Sequence, residues 1–285
     1  MTIRHVGVCG AGTMGIGIAE AVAGSGYEVM IRDIELPMVE DALKALSHRL
    51  QRRVEQGRIT AEHHGAVLQR IHAVADVADL AGSDLVIEAV SEDVGIKRDL
   101  FAALERICRA DALLVTNTST LSPTEIGAAT STPHRTAGLH FFNPAPVMRL
   151  VEVVPGLATA PETVSALKDF VSSLDKTPVV VSDSPGGIVS RLLITVRNEA
   201  VRMLMEGVAS AEDIDTALRL GAGWPMGPLA MIDLVGVDLH VTNSDSLARE
   251  LGDRFQPPTL LRKMARAGHF GRKSGRGFYT YPHPQ

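Results

Sequence analysis

His140 and Glu152 are the side chains in this sequence whose types and surroundings point most directly to proton chemistry. His140 stands at the exit of the apolar stretch ending Gly138-Leu-His140, and Glu152 is the lone carboxylate in a strand expected over residues 148–154. An ionised carboxylate among Val and Leu side chains is costly without a partner, and an imidazole at a strand exit is a natural one. Together they would form an acid–base couple, in which the carboxylate holds one tautomer and stabilises the imidazolium when the ring takes a proton. The competing reading is a structural histidine beside a half-exposed strand glutamate, and this stretch alone does not choose between them.

A second cluster lies near the start of the chain. Residues 3–9 read as a buried strand that runs into Gly10-Ala-Gly12-Thr13-Met14-Gly15 and then a helical pattern over residues 16–25. In this strand–turn–helix setting Gly10 permits the tight turn, Gly12 lets the backbone approach a pyrophosphate, and Gly15 lets the helix pack on the strand. The helix N-terminus then offers free N–H groups to the anion. A second strand, 27–32, delivers Asp33 to a position 18 residues after Gly15, where a carboxylate can take both ribose hydroxyls and would repel a 2′-phosphate. The expected cofactor is therefore NAD rather than NADP.

The elements that must position these groups alternate between strand and helix patterns. Strands are expected over 71–74, 84–89, 112–116, 148–154 and 178–182, with helices over 94–109 and 161–174. Two helical segments between 36 and 68 break near Gly57. In an open parallel sheet ligands sit beyond the carboxyl ends of the strands, so the polar exits Glu92 and Asn117-Thr-Ser119 are expected to face the cofactor. The competing role for such exits is helix capping, with Ser122 before Pro123 the clearest case. From residue 188 onward only helices are expected, at about 188–206, 210–220, 228–251 and 258–267. The reading is an α/β Rossmann-type dinucleotide-binding domain over 1–184, followed by a smaller all-α domain over 185–285.

Composition narrows the function classes. A formal net charge of -5 argues against a general nucleic-acid binder. Gly, Pro or charge interrupts every apolar run before it reaches the length of a membrane span, and residues 6–23 are better explained by their glycine spacing than as a signal-peptide core. Two cysteines, Cys9 and Cys108, provide no disulfide framework and fit a reducing, cytoplasmic compartment, with Cys9 a buried packing residue. No metal site is expected. Between Lys44 and Arg58 five basic residues, Lys44, Arg49, Arg52, Arg53 and Arg58, face one acid, Glu55. Such a run is either a solvated helix face or a landing surface for a phosphorylated carrier such as coenzyme A, or for an acidic carrier protein. The small helical domain carries apolar faces that suggest a homodimer.

The ordered set Gly10-x-Gly-x-x-Gly15, Asn117-Thr-Ser119, His140-Phe-Phe-Asn143-Pro, Val151-Glu152-Val, Pro225-Met-Gly-Pro228 and Gly271-Arg-Lys-Ser-Gly-Arg-Gly-Phe-Tyr279 resembles the L-3-hydroxyacyl-CoA dehydrogenase family, and most of all its bacterial 3-hydroxybutyryl-CoA dehydrogenases. The resemblance implies hydride transfer from C3 of an L-3-hydroxyacyl thioester to NAD⁺. It matches His140 to the base, Glu152 to the carboxylate that orients it, and Ser119 to a serine touching substrate and cofactor. It also matches Asn143, Glu92, Lys97 and Lys273 to residues lining the nicotinamide half of the cofactor site.

The sequence departs from the family at Pro185-Gly186-Gly187-Ile-Val-Ser190-Arg191, where Gly187 replaces the usual Phe and Ser190 the usual Asn of the catalytic set. One reading is a specialised substrate, a 2-substituted or acyl-carrier-protein-bound thioester, for which the space at Gly187 and the Ser190 hydroxyl make room. The other is drift within ordinary acyl-CoA activity. The competing class is a non-catalytic NAD-binding sensor or structural protein.

Overall fold

The structure, a computed structural model, describes residues 2–282. It divides into two compact units, the first ending at Ser184 and the second beginning at Pro185.

The first unit alternates strands and helices: β1 (His5–Cys9), α1 (Thr13–Gly24), β2 (Glu28–Arg32), α2 (Leu36–Glu55), α3 (Ala61–Gln69), β3 (Ile71–Val74), β4 (Leu85–Glu88), α4 (Val94–Ile107), β5 (Leu113–Thr116), α5 (Pro123–Gly127), β6 (Thr136–Phe141), β7 (Leu150–Pro155), α6 (Pro161–Ser173) and β8 (Thr177–Val180). These strands form one sheet in the order β3-β2-β1-β4-β5-β6-β7-β8. The order reverses between β1 and β4, which opens a crevice at the carboxyl ends of those strands. Every residue of β4, β5 and β6 is buried, as expected of strands covered on both faces. Val8, Ile18, Leu46, Val115 and Phe141 belong to one apolar core, and Cys9, Phe101, Leu104 and Leu114 to a second. Burial within the latter pushes the Cys9 thiol up to about 12, which makes it a packing group.

The sheet is parallel except for one pair, β6 and β7. Only residues 142–149 connect these two strands. A parallel crossover needs about a dozen residues or more, so this connection forces the chain to turn back on itself.

The second unit contains α7 (Val189–Met205), α8 (Ala211–Gly221), α9 (Pro228–Val235), α10 (Val237–Leu251) and α11 (Thr259–Arg266). The single helix expected over 228–251 is two helices. Gly236 separates them with φ 108°, a conformation closed to an ordinary helical residue. Its N–H still closes α9 on Ile232 O at 2.8 Å, and its carbonyl opens α10 by accepting from His240 N at 2.9 Å. Two buried carboxylates hold this unit together. Asp215 receives the N–H groups of Leu229 and Ala230, and Asp233 receives those of Phe278 and Tyr279. Among the described residues no helix is long and apolar enough to cross a membrane.

Candidate active site

The turn between β1 and α1 is built for close approach. A Cβ at Gly15 would lie 1.7 Å from the carbonyl oxygen of Gly10, so α1 can leave the turn at this angle only without a side chain there. Gly12 is the opposite case: its Cβ position has no atom within 4 Å, and it caps α1 without offering a side-chain acceptor. The open space and the first N–H groups of α1 are what an anion at a helix N-terminus requires. Thr13 is exposed and Met14 half-buried beside this opening. Asp33, at the exit of β2, accepts from Ala11 N at 2.6 Å through Oδ2 and from Ile34 N at 2.7 Å through Oδ1. It thus braces the glycine turn and keeps a carboxylate at its rim. An open backbone cradle flanked by a carboxylate fits a dinucleotide.

The exits of β4 and β5 form a continuous polar network. Glu88 ends β4 fully buried, and its Oε1 receives the Lys97 Nζ at 2.7 Å and the Val90 N–H at 2.7 Å. Its Oε2 receives the Thr116 hydroxyl at 2.6 Å. Lys97, in the first turn of α4, is 1% exposed and also reaches Glu92 Oε2 at 3.2 Å. Glu92 in turn accepts from the hydroxyls of Thr118 and Thr120, the neighbours of Ser119. Asn117 turns its Oδ1 to the Phe141 N–H at 2.8 Å, tying the end of β5 to β6. Ser122 does cap: its Oγ accepts from Glu125 N at 3.3 Å and donates to Asp183 Oδ2 at 2.5 Å.

The antiparallel register of β6 and β7 sets His140 directly opposite Glu152. His140 Nδ1 lies 2.9 Å from Glu152 Oε2, and the two residues are 8% and 1% exposed. A half-exposed strand glutamate is therefore not what the chain contains. With Nδ1–H donating to the carboxylate, the remaining ring nitrogen, Nε2, is a proton acceptor. Phe142 packs against the imidazole with ring centroids 4.4 Å apart.

Part of the basic run is committed within the fold. Arg49 and Arg53 both bind Glu20, a 5% exposed residue of α1, at 2.7 and 2.9 Å. Arg49, Arg52, Arg53 and Arg58 line a cavity of about 480 Å³ whose wall also includes Thr13 and Asn143. The run is neither wholly solvated nor wholly free.

Comparison with known proteins agrees with this geometry along nearly the whole chain. The model of the 3-hydroxyacyl-CoA dehydrogenase NAD binding domain matches residues 5–184, and that of the 3-hydroxyacyl-CoA dehydrogenase C-terminal domain matches residues 186–281. The chain belongs to the 3-hydroxyacyl-CoA dehydrogenase family. A probable 3-hydroxybutyryl-CoA dehydrogenase of Bacillus subtilis is 42% identical over 282 residues, covering 99% of this chain and 98% of that protein. A 3-hydroxyadipyl-CoA dehydrogenase of Escherichia coli is 45% identical over 99% of this chain, which spans 60% of that longer protein. Among solved structures, the (S)-3-hydroxybutyryl-CoA dehydrogenase of Ralstonia eutropha superposes with a TM-score of 0.94 at 39% identity, covering 98% of this chain and 99% of that one.

As a 3-hydroxyacyl-CoA dehydrogenase the protein is an NAD-dependent oxidoreductase. Two of the residues singled out for this chemistry, Ser190 and Lys273, belong to its second unit. Ser190 is half-buried in the first turn of α7. The turn before it has φ 77° at Gly186 and φ 51° at Gly187, so a Phe at 187 would be strained in this backbone. Gly187 thus reflects turn conformation as well as space. Lys273 donates to Asp238 Oδ2 at 2.6 Å and lies 5.3 Å from the Phe270 ring centroid.

Sequence reasoning passed over Glu88 and Glu20. Glu88 carried the same signal as Glu152, a carboxylate closing an apolar run, but was absorbed into the strand expected over 84–89. Glu20 sits on a glycine-rich helix face with nothing local to mark its partners, 29 and 33 residues further on.

Proposed function

We propose that this 3-hydroxyacyl-CoA dehydrogenase interconverts short L-3-hydroxyacyl and 3-oxoacyl thioesters of coenzyme A, with a 3-hydroxybutyryl-like acyl group. His140 is the base and Glu152 the carboxylate that orients it. The buried His140–Glu152 pair at 2.9 Å is the observation that carries this reading. The names of the relatives in Bacillus subtilis and Ralstonia eutropha support the acyl group.

Loss of hydride from the C3 carbinol is feasible only if the hydroxyl proton leaves as well. His140 Nε2, the ring nitrogen left as acceptor when Nδ1 is held by Glu152, takes that proton. The Nδ1–H bond to Glu152 holds the ring in the accepting tautomer, and the buried carboxylate stabilises the imidazolium that forms. Ser119 donates to the oxygen that becomes the ketone, and in the reverse direction the imidazolium returns its proton to that oxygen. Ser190 contributes a hydroxyl at the position of the family's Asn. Gly10, Gly12, Thr13, Met14, Gly15 and Asp33 would hold the pyrophosphate and adenosine ribose of NAD, and Glu92, Lys97, Asn117 and Asn143 its nicotinamide half. NAD⁺ supplies the hydride acceptor.

The arginine-lined cavity beside Asn143 supports a phosphate-bearing carrier. Exposed Leu192, Leu234 and Leu239 in the second unit support a homodimer, and two buried free cysteines support a cytoplasmic setting. The deciding experiment mixes the purified protein with NADH and acetoacetyl-CoA and follows absorbance at the NADH band. Oxidation of NADH is expected. No reaction there, with turnover of a carrier-protein thioester, would replace coenzyme A as the carrier, and no reaction with either would favour the sensor.

A further inference from the structure

We propose that Glu88, which no motif marks, is the positioning residue of the cofactor-facing strand exits, acting through Lys97. The inference rests on the reading that Lys97 and Glu92 line the nicotinamide half of the NAD site.

A lysine in the first turn of a surface helix has water and a neighbouring carboxylate within easy reach, and Glu92 at 3.2 Å provides the latter. Lys97 is nevertheless 1% exposed, because its ammonium is drawn to a second carboxylate, the fully buried Glu88, at 2.7 Å. Glu88 therefore converts a flexible cation into one held in a single geometry. The same carboxylate takes the Thr116 hydroxyl from β5 and the Val90 N–H beyond β4, so both strand ends are fixed to one group. From Lys97 the order passes to Glu92, and from Glu92 to the hydroxyls of Thr118 and Thr120 on either side of Ser119. Glu88 lies at the root of this relay, and the residues read as touching the cofactor lie at its tip.

A structural staple and a positioning residue differ in what their loss does to cofactor affinity. The test uses the full chain with Glu88→Gln, Lys97→Met and the double variant, whose neutral pair removes the buried charge that each single change leaves without its partner across the Glu88–Lys97 contact. For each, the melting temperature of the cofactor-free protein, the NADH dissociation constant from the fluorescence of bound NADH, the KM for NAD⁺ and the pH dependence of kcat/KM with 3-hydroxybutyryl-CoA are measured. Each single variant is expected to weaken NADH binding about tenfold, the size of one lost hydrogen bond. The double variant is expected to lose no more than either single one while recovering thermal stability, because two members of one relay do not act additively. The pH dependence of kcat/KM should keep its wild-type shape, since the His140–Glu152 pair is untouched. Glu88→Gln or the folded double variant with wild-type NADH affinity would overturn the proposal, as would losses that multiply to about a hundredfold. If Lys97→Met alone leaves NADH affinity unchanged, the assignment of Lys97 to the cofactor site fails and the inference falls with it. If Lys97→Met weakens binding and Glu88→Gln does not, only the positioning role is lost.

Discussion

Two buried glutamates in one sheet do different work. Glu88 at the end of β4 is 0% exposed and bound to Lys97 at 2.7 Å, and Glu152 in β7 is 1% exposed and bound to His140 at 2.9 Å. In both places an apolar strand makes the carboxylate demand a partner. The ammonium of lysine only donates hydrogen bonds and has no acceptor site, so Glu88–Lys97 is a pair suited to holding geometry. Imidazole has two ring nitrogens, so while Nδ1 is engaged by Glu152 the other can accept a proton and give it back. The partner's donor and acceptor chemistry, rather than burial or distance, separates a scaffold pair from one able to move protons.

The largest test of that contrast removes the imidazole. His140→Gln should lower kcat/KM for thioester oxidation about 10³-fold, with little change in NADH affinity, in steady-state kinetics with a parallel binding titration. Removing the lysine should instead appear as stability. Lys97→Met leaves Glu88 buried without its cation and should cost about 3–5 kcal/mol in denaturant unfolding. Glu152→Gln keeps the shape of the working pair and removes its charge, so a loss of about 10²-fold in kcat is expected with the melting temperature nearly unchanged. A melting temperature that falls as far as for Lys97→Met would erase the distinction between the pairs.

A second histidine sharpens the comparison. His240 in the second unit is 1% exposed, faces Asn198 Oδ1 at 3.0 Å, and has a cation, Arg197, rather than a carboxylate nearby. Burial, reinforced by Arg197, holds its pKa down to about 3. The unfolded chain therefore binds a proton that the folded one refuses once the pH drops below about 6.5. The stability this group contributes is full above that pH and is lost as the pH falls toward 3, at about 1.4 kcal/mol per pH unit. By pH 5 the loss should reach about 2 kcal/mol in urea unfolding, and His240→Gln should flatten the slope. The smallest effect is expected at Arg197 itself. Burial lowers its pKa to about 10, and its Nε is buried without a hydrogen-bond partner among the described residues. Arg197→Met should be neutral or stabilise by about 1 kcal/mol, opposite in sign to Lys97→Met.

Much of the site could be read along the chain because its signals are local. The glycine turn is specified by residues 10–15 and the acid at its rim by Asp33, positions linked by one strand–helix–strand unit. The pairing of His140 with Glu152 was legible as a need, a carboxylate without a partner in an apolar strand. Glu88 expressed the same need, but its partner stands nine residues on, inside an amphipathic helix where a lysine looks like any solvated one. The break at Gly236 was also written in the sequence, yet glycine inside an apolar run is compatible with one helix or two until the backbone chooses a positive φ.

By itself the sequence determined the alternation of strands and helices, the dinucleotide turn, the carboxylate beside it and the residue types of the acid–base pair, all of which follow from periodicity and neighbouring chemistry. Tertiary structure alone decided that β7 runs against β6 in the register placing His140 opposite Glu152, and that Lys97 turns inward to Glu88. Both depend on which groups meet across strands and helices distant in sequence, where burial makes the cost of an unpaired charge large enough to select a partner.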